Sequence, residues 1–244
     1  MKILYFDCSS GISGDMTLAA LVDACQGKEY LIKELEKLRL QGYEIIIERK
    51  SKNCIMMTDL DVKILSDETQ EAERNFYDIC QLIDNSSITE NAKKISKQIF
   101  AEITKAEAKV HGKTIEEVHF HEVGAIDSIV DIVGTAIMID YIKPDKIISS
   151  PLHDGHGFIT CRHGIIPVPV PAVAAMLEGS NIPVIYEDVD TELVTPTGCG
   201  IIKSLANEIG RIKEELTLEQ VGYGMGKRQT SLFGAVRIII GKSL

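Results

Sequence analysis

Apolar positions along the chain alternate between strand-like runs and helical spacing. Residues 2–8 (KILYFDC) form a short apolar run that ends at the Ser/Gly-rich stretch 9–14, and they read as a buried strand. From 15 to 25 the positions Met16, Leu18, Ala19, Leu21, Val22 and Cys25 recur at helical spacing. The chain thus opens as strand, glycine-rich turn, helix. A second amphipathic helix is predicted over 29–40. Residues 43–49 and 56–65 read as two antiparallel strands joined by a polar turn around Asn53, with a polar loop at 66–70. Residues 75–110 are mostly helical and divide near 85–88, where Ser86 or Ser87 is the expected cap. A short helix is predicted at 114–118, with Thr114 and Glu117 as a capping box. After a connection at 119–122, helical spacing resumes from 124 to 142 and stops before Pro144. Strands are predicted at 146–149, 183–186 and 235–240. Helices are predicted at 171–177, with Pro171 in the first turn, and from Thr195 to 207. Residues 153–163 and 221–227 are glycine-rich.

Strand–helix alternation combined with an antiparallel pair predicts an α/β fold of the mixed α+β kind, a mixed sheet with helices on its faces. The 244 residues suit one large domain or two small ones. A small subdomain inserted around 67–118 is expected, its edge lying in the polar loop near 66–75. A chain of this length buries roughly 70–75% of its unfolded surface and needs no disulfide to fold. The six cysteines are scattered without a CxxC pair and read as reduced thiols. Cys8 stands out because it follows a strand and precedes a glycine-rich turn. The net charge of −10 argues against nucleic acid and against anionic membrane as partners. No run approaches the roughly 18–20 apolar residues of a membrane span, and the acid at position 7 interrupts any signal-peptide core, so a cytoplasmic location is expected.

Against this background one stretch is chemically dense. VHFHEVGAIDSIVDIVG, residues 118–134, holds His119, His121, Glu122, Asp127 and Asp131 among apolar residues, without a lysine. In an extended segment His119 and His121 point to one side. Asp127 and Asp131, four apart, share one face of the helix that follows. Imidazoles suit zinc, copper, nickel and iron, while carboxylates widen the choice to magnesium and manganese. The alternative is that the histidines hydrogen-bond the helix start and its dipole favours the acids. His153, His156 and His163, with Cys161, crowd a second stretch, PLHDGHGFITCRHG; if the two stretches meet they make a histidine-rich pocket. His111 falls outside both and reads as a helix-end residue. In DCSSGISGD, Ser9, Ser10, Gly11, Ser13 and Gly14 form a strand-to-helix turn of the kind that receives anions, with capping by Ser13 as the plainer reading. It is neither a dinucleotide fingerprint nor a P-loop. In ELVTPTG, Thr195 caps, Pro196 takes the first helical position, and Thr197 and Gly198 offer donors to an anion.

Five ordered blocks, YFDCSSGISGDM, VHFHEVGAIDSIVDIVG, HGIIPVPVPA, ELVTPTG and VGYGMGKR, together resemble the LarC family of nickel insertion proteins across residues 2–240. The resemblance implies nickel insertion into pyridinium bis-thiocarboxylic acid mononucleotide, which forms the nickel-pincer cofactor of lactate racemase. It implies a nickel chelatase of the lyase class, dependent on CTP with manganese or magnesium. It also implies that the CTP-associated part is a carboxy-terminal domain beyond residue 244, and that this chain corresponds to the amino-terminal part. On this reading nickel is held by His119, His121 and His156 or His163. Glu122, Asp127 and Asp131 orient those imidazoles or bind a hard cation themselves. The loop from Ser9 to Gly14, with Thr195, Thr197 and Gly198, receives the precursor's phosphate. The expected partners are the carboxy-terminal part, the mononucleotide and further copies of the same chain. Two rival readings are a nickel-binding scaffold whose chemistry lies in the missing part, and a metal-dependent nucleotide phosphohydrolase using Asp7 and Asp15.

Overall fold

A computed structural model describes residues 1–65, 74–120 and 124–243. In chain order the elements are β1 (Lys2–Asp7), α1 (Gly14–Cys25), α2 (Lys28–Leu35) with a 3-10 turn at Glu36–Leu38, β2 (Tyr43–Lys52), β3 (Ile55–Ile64), β4 (Arg74–Asn75), α3 (Phe76–Asp84), α4 (Glu90–His111), β5 (His119–Phe120) and α5 (Ile126–Ile142). There follow β6 (Lys146–Ser149), β7 (Leu152–Asp154), β8 (Phe158–Cys161), β9 (Gly164–Pro167), α6 (Pro171–Leu177), β10 (Val184–Tyr186), α7 (Pro196–Leu205), β11 (Glu208–Ile209), β12 (Leu216–Met225) and β13 (Ala235–Ser243).

Seven strands form one mixed sheet in the order β11-β6-β1-β13-β12-β3-β2. The β11, β6 and β1 strands run parallel, whereas β13 is antiparallel to both β1 and β12, and β2 to β3. The first and last strands are therefore neighbours at the centre of the sheet, with Lys2 opposite Lys242. Between β12 and β3 the pairing is a single parallel position, Gly224 with Thr58. Asp23 of α1 reinforces this seam: it accepts from Tyr223 N–H at 2.8 Å and Thr58 Oγ1 at 2.8 Å, and it pairs with Arg49.

α1 lies on the sheet across β12, β3 and β13, α5 packs on α1, and α4 packs on α5, α6 and α7. α5 is central, and most of its residues are buried, from Ile126 through Ile142. The predicted mixed sheet with helices on its face is therefore present. The 75–110 helix divides as expected into α3 and α4, but Thr89 supplies the cap, accepting from Ala92 N–H at 3.1 Å. Residues 115–117 form a turn and not a helix, although Glu117 still accepts from Thr114 N–H at 3.2 Å as in a half-formed capping box. The glycine-rich 221–225 belongs to the long strand β12. At Gly224 a Cβ would lie 1.8 Å from the carbonyl oxygen of Met16, and at Gly222 one would lie 2.2 Å from that of Ala20. Glycine disfavours strands, but here it lets α1 sit directly on β12. The polar loop expected at 66–70 lies outside the described residues. Among the described residues no helix is long and apolar enough to cross a membrane.

Candidate functional site

A cavity of about 740 Å³ opens where three helices begin. Its walls include Ser13, Gly14 and Asp15 at the start of α1, Ala125 to Ser128 and Asp131 on α5, and Thr195 to Thr197 at the start of α7. The local sequence explains why these helices start here. Ser13 caps α1, its hydroxyl accepting from Met16 N–H at 3.4 Å. Thr195 caps α7, accepting from Gly198 N–H at 3.2 Å, with Pro196 in the first turn. The two starts are stitched together: Ile12 N–H donates to Leu193 O at 2.8 Å, Thr195 N–H to Ile12 O at 3.0 Å, and Gly14 N–H to Thr197 Oγ1 at 3.2 Å. Gly11, at φ +87°, and Gly198 permit this close approach: a Cβ would lie 2.3 Å from Leu193 O at Gly11 and 2.4 Å from Ile12 O at Gly198. Buried Asp154 anchors the same segment, its Oδ1 accepting from Leu193 N–H at 2.8 Å and Val194 N–H at 3.1 Å.

One end of the cavity is acidic. Asp127 and Asp131 share a face of α5 as their spacing predicts, and Asp15 and Asp61 join them. Burial pushes the Asp131 carboxyl well above the usual carboxylate range, and the charges of Asp15 and Asp127 push it further. Asp127 opens onto the cavity, yet the protein crowded around it raises its pKa by desolvation, with Asp15 adding to the rise. Asp131 Oδ1 is buried without a hydrogen-bond partner. Gly14 makes room for this side chain, since a Cβ there would lie 2.7 Å from Asp131 Oδ2. Lys227 lines this region too; it bonds Asp61 and stands 3.7 Å from Asp15 Oδ2. Burial disfavours its charge, but the hydrogen bond to Asp61 and the charge of Asp15 outweigh burial and raise its pKa.

The other end carries imidazoles. His163 lies in the turn of the β8–β9 hairpin and His111 is the last residue of α4; their ring centres are 5.2 Å apart. Glu107 Oε2 is 3.3 Å from His111 Nε2, and Cys161 Sγ is 3.9 Å from His163 Nδ1. Burial lowers the pKa of His111, and His163 and Lys113 lower it further, which favours the neutral ring. Apolar side chains of Ile64, Ile126, Ile159 and Ile166 line the wall as well.

Of the residues expected from the sequence, Ser13, Gly14, Asp127, Asp131, His163, Thr195 and Thr197 meet around this cavity. Ser9, Ser10, Gly11 and Gly198 are not among its lining residues. His156 is not among the lining residues, and its Nε2 is 3.3 Å from Asp188 Oδ1. His119 pairs in β5 with Asn75 and keeps a buried Nδ1. His121 and Glu122 lie outside the described residues. Asp7 is bound by Arg237, at 3.0 Å to Nε and 2.5 Å to Nη2, which occupies the carboxylate that a phosphohydrolase reading would use. His111, Glu107, Asp61 and Lys227 are cavity residues that the sequence did not single out. Among the described residues, no three His, Cys, Asp or Glu side chains already converge as a metal cage.

The family described as nickel insertion protein matches residues 4–243. The chain belongs to that family. Among its relatives, a nickel insertion protein of Acetivibrio thermocellus, named for pyridinium-3,5-bisthiocarboxylic acid mononucleotide, is 56% identical over 250 residues, covering 100% of this chain and 61% of its own length. Proteins of the same name from Clostridium kluyveri and Lactiplantibacillus plantarum are 47% and 45% identical, covering 99% and 98% of this chain and 62% and 61% of their own lengths. This nickel insertion family member thus spans about three-fifths of the length of those relatives. No solved structure matches the chain.

Proposed function

We propose that this chain inserts nickel into pyridinium-3,5-bisthiocarboxylic acid mononucleotide, with nickel as a substrate of the reaction. What carries the reading is the pairing of His111 and His163 on a cavity whose volume suits a mononucleotide, in a chain that belongs to this family. Two imidazoles hold nickel loosely and leave coordination positions open. Thiocarboxylate sulfurs are softer donors and draw the ion onward. His121 and Glu122 complete the set of candidate ligands, and Thr195 and Thr197 order the cavity wall that receives the nucleotide. As a chelatase of the lyase class the chain works in the cytoplasm, and CTP with manganese or magnesium acts through a carboxy-terminal part.

The test is reconstitution. The chain is mixed with nickel, the bisthiocarboxylated mononucleotide, CTP and the carboxy-terminal part, and nickel in the isolated cofactor is measured by mass spectrometry. His111→Ala/His163→Ala should lower incorporation at least tenfold without lowering thermal stability. Undiminished incorporation sinks the assignment of these histidines. Nickel binding by the chain without incorporation in any mixture would favour the scaffold reading.

A further inference from the structure

Two stretches of the large sheet are open along one side, and they differ in chemistry. At the outer edge β2 is defended: five of its ten residues, Glu44, Glu48, Arg49, Lys50 and Lys52, are charged. Such side chains discourage another chain from pairing there. The first half of β12 carries no such defence. Among the described residues Leu216–Val221 pair with β13 on one side, while β12 meets β3 only at Gly224 and Thr58. Next to that meeting point the Tyr223 N–H is taken by the Asp23 carboxylate and not by a strand carbonyl. Thr217 to Val221 are exposed at every position, so both faces of this half-strand are bare as well. Its sequence, LTLEQV, holds one charge, Glu219, and no lysine or proline. A bulge between Leu218 and Gln220 bends the strand but covers nothing. Apolar side chains are left in solvent here: Leu218 is 58% exposed and Met56 48%, and Val221 is exposed with them. Where β12 and β3 part, Val221 and Tyr223 face Met56, Thr58 and Arg49 across a groove of about 890 Å³.

We infer that the free side of Leu216–Val221 receives an extended segment of the carboxy-terminal part, which adds a strand to the sheet. Two observations name this occupant. About two-fifths of the length of the curated relatives lies outside the stretch they share with this chain. The path of β13 supplies the second, since Ser243 lies opposite Leu216, the first residue of the open half-strand. A chain continuing from Ser243 has only to round the end of β12 to reach its free side. That is two strand spacings, about 10 Å, or roughly three to four extended residues. The added strand then runs antiparallel to β13 and parallel to β12. Main-chain hydrogen bonds supply the affinity, and every second side chain packs on Val221 and Met56. The segment therefore carries apolar residues at alternate positions. That such a part follows Leu244 rests on the proposed function; the open half-strand does not.

Hydrogen–deuterium exchange and calorimetry test the surface. The chain mixed with its carboxy-terminal part should bind it, and amides 217–221 should exchange at least tenfold more slowly than in the chain alone. Leu218→Lys and Val221→Lys, both at exposed positions, should each weaken binding at least tenfold and leave the melting temperature unchanged. Glu44→Lys, on the defended edge, should leave binding unchanged. Affinity that survives both β12 substitutions overturns the inference, as does absence of binding, or binding that leaves amides 217–221 exchanging freely. A chain that dimerises by itself in sedimentation, and becomes a monomer on Leu218→Lys, makes a second copy the occupant and overturns it equally. None of these readouts needs nickel. Protection at 217–221 without nickel incorporation sinks the proposed activity and leaves this surface standing, and incorporation without that protection does the reverse.

Discussion

Single side chains here trade stability for chemistry. The Asp131 carboxylate is buried among like charges, so the metal-free chain carries an electrostatic penalty that the near-isosteric amide lacks. Asp131→Asn is expected to stabilise the metal-free chain at neutral pH by about 1 kcal/mol, or roughly 2–4 °C in melting temperature for a chain of this size. Differential scanning calorimetry of the two chains reads the difference. A lower melting temperature for the variant would mean that the carboxylate is already satisfied. The thiols divide just as sharply. Burial pushes Cys8 and Cys199 up to about 12, so their thiolate is scarce at neutral pH, whereas Cys54 is exposed in the β2–β3 turn. A thiol reagent at pH 8 should modify Cys54 within minutes and leave Cys8 and Cys199 intact until denaturant is added. Rapid modification of Cys8 would restore it as a reactive group beside the glycine-rich turn.

At the scale of elements, the contact of α1 with β12 fixes where the acidic end sits. Gly224→Ala forces a methyl group into the Met16 carbonyl and should destabilise the chain by about 1–3 kcal/mol; urea denaturation measures it, and an unchanged midpoint would show that α1 yields at little cost. Thr195→Ala removes the α7 cap and should cost about 1 kcal/mol. The contrast between these elements shows what the sequence disclosed. Ser13, Thr195-Pro196 and the four-residue spacing of Asp127 and Asp131 are local signals, and each could be read directly. β12 could not, because its glycines answer to a helix about two hundred residues earlier and not to the strand they belong to. The β8–β9 hairpin was hidden for a related reason. Its prolines and glycines read as breakers, although Gly164 at φ +88° makes the turn beside which His163 meets His111. Sequence proximity grouped His156 with His163, and only the path of the hairpin separates them. His111 looked like an ordinary helix end because its partner is supplied by a distant segment.

Across the whole molecule, the central pairing of β1 with β13 brings the two ends of the described chain together, with Ser243 N–H donating to Met1 O at 2.9 Å. A circular permutant that joins these ends through a short glycine linker and opens at the Asn53–Cys54 turn should keep the same fold, read by circular dichroism, and nearly the same melting temperature. A drop of more than ten degrees in a folded permutant would show that the seam between the ends carries more than connectivity. The same closure governs how the molecule is born. A ribosome delivers α1, with Asp15, about two hundred residues before β12 and β13. Until β12 and β13 emerge, β1 has no antiparallel neighbour and α1 lacks most of its floor. The floor beneath the cavity's α1 wall is thus acquired only after about two hundred further residues have been made.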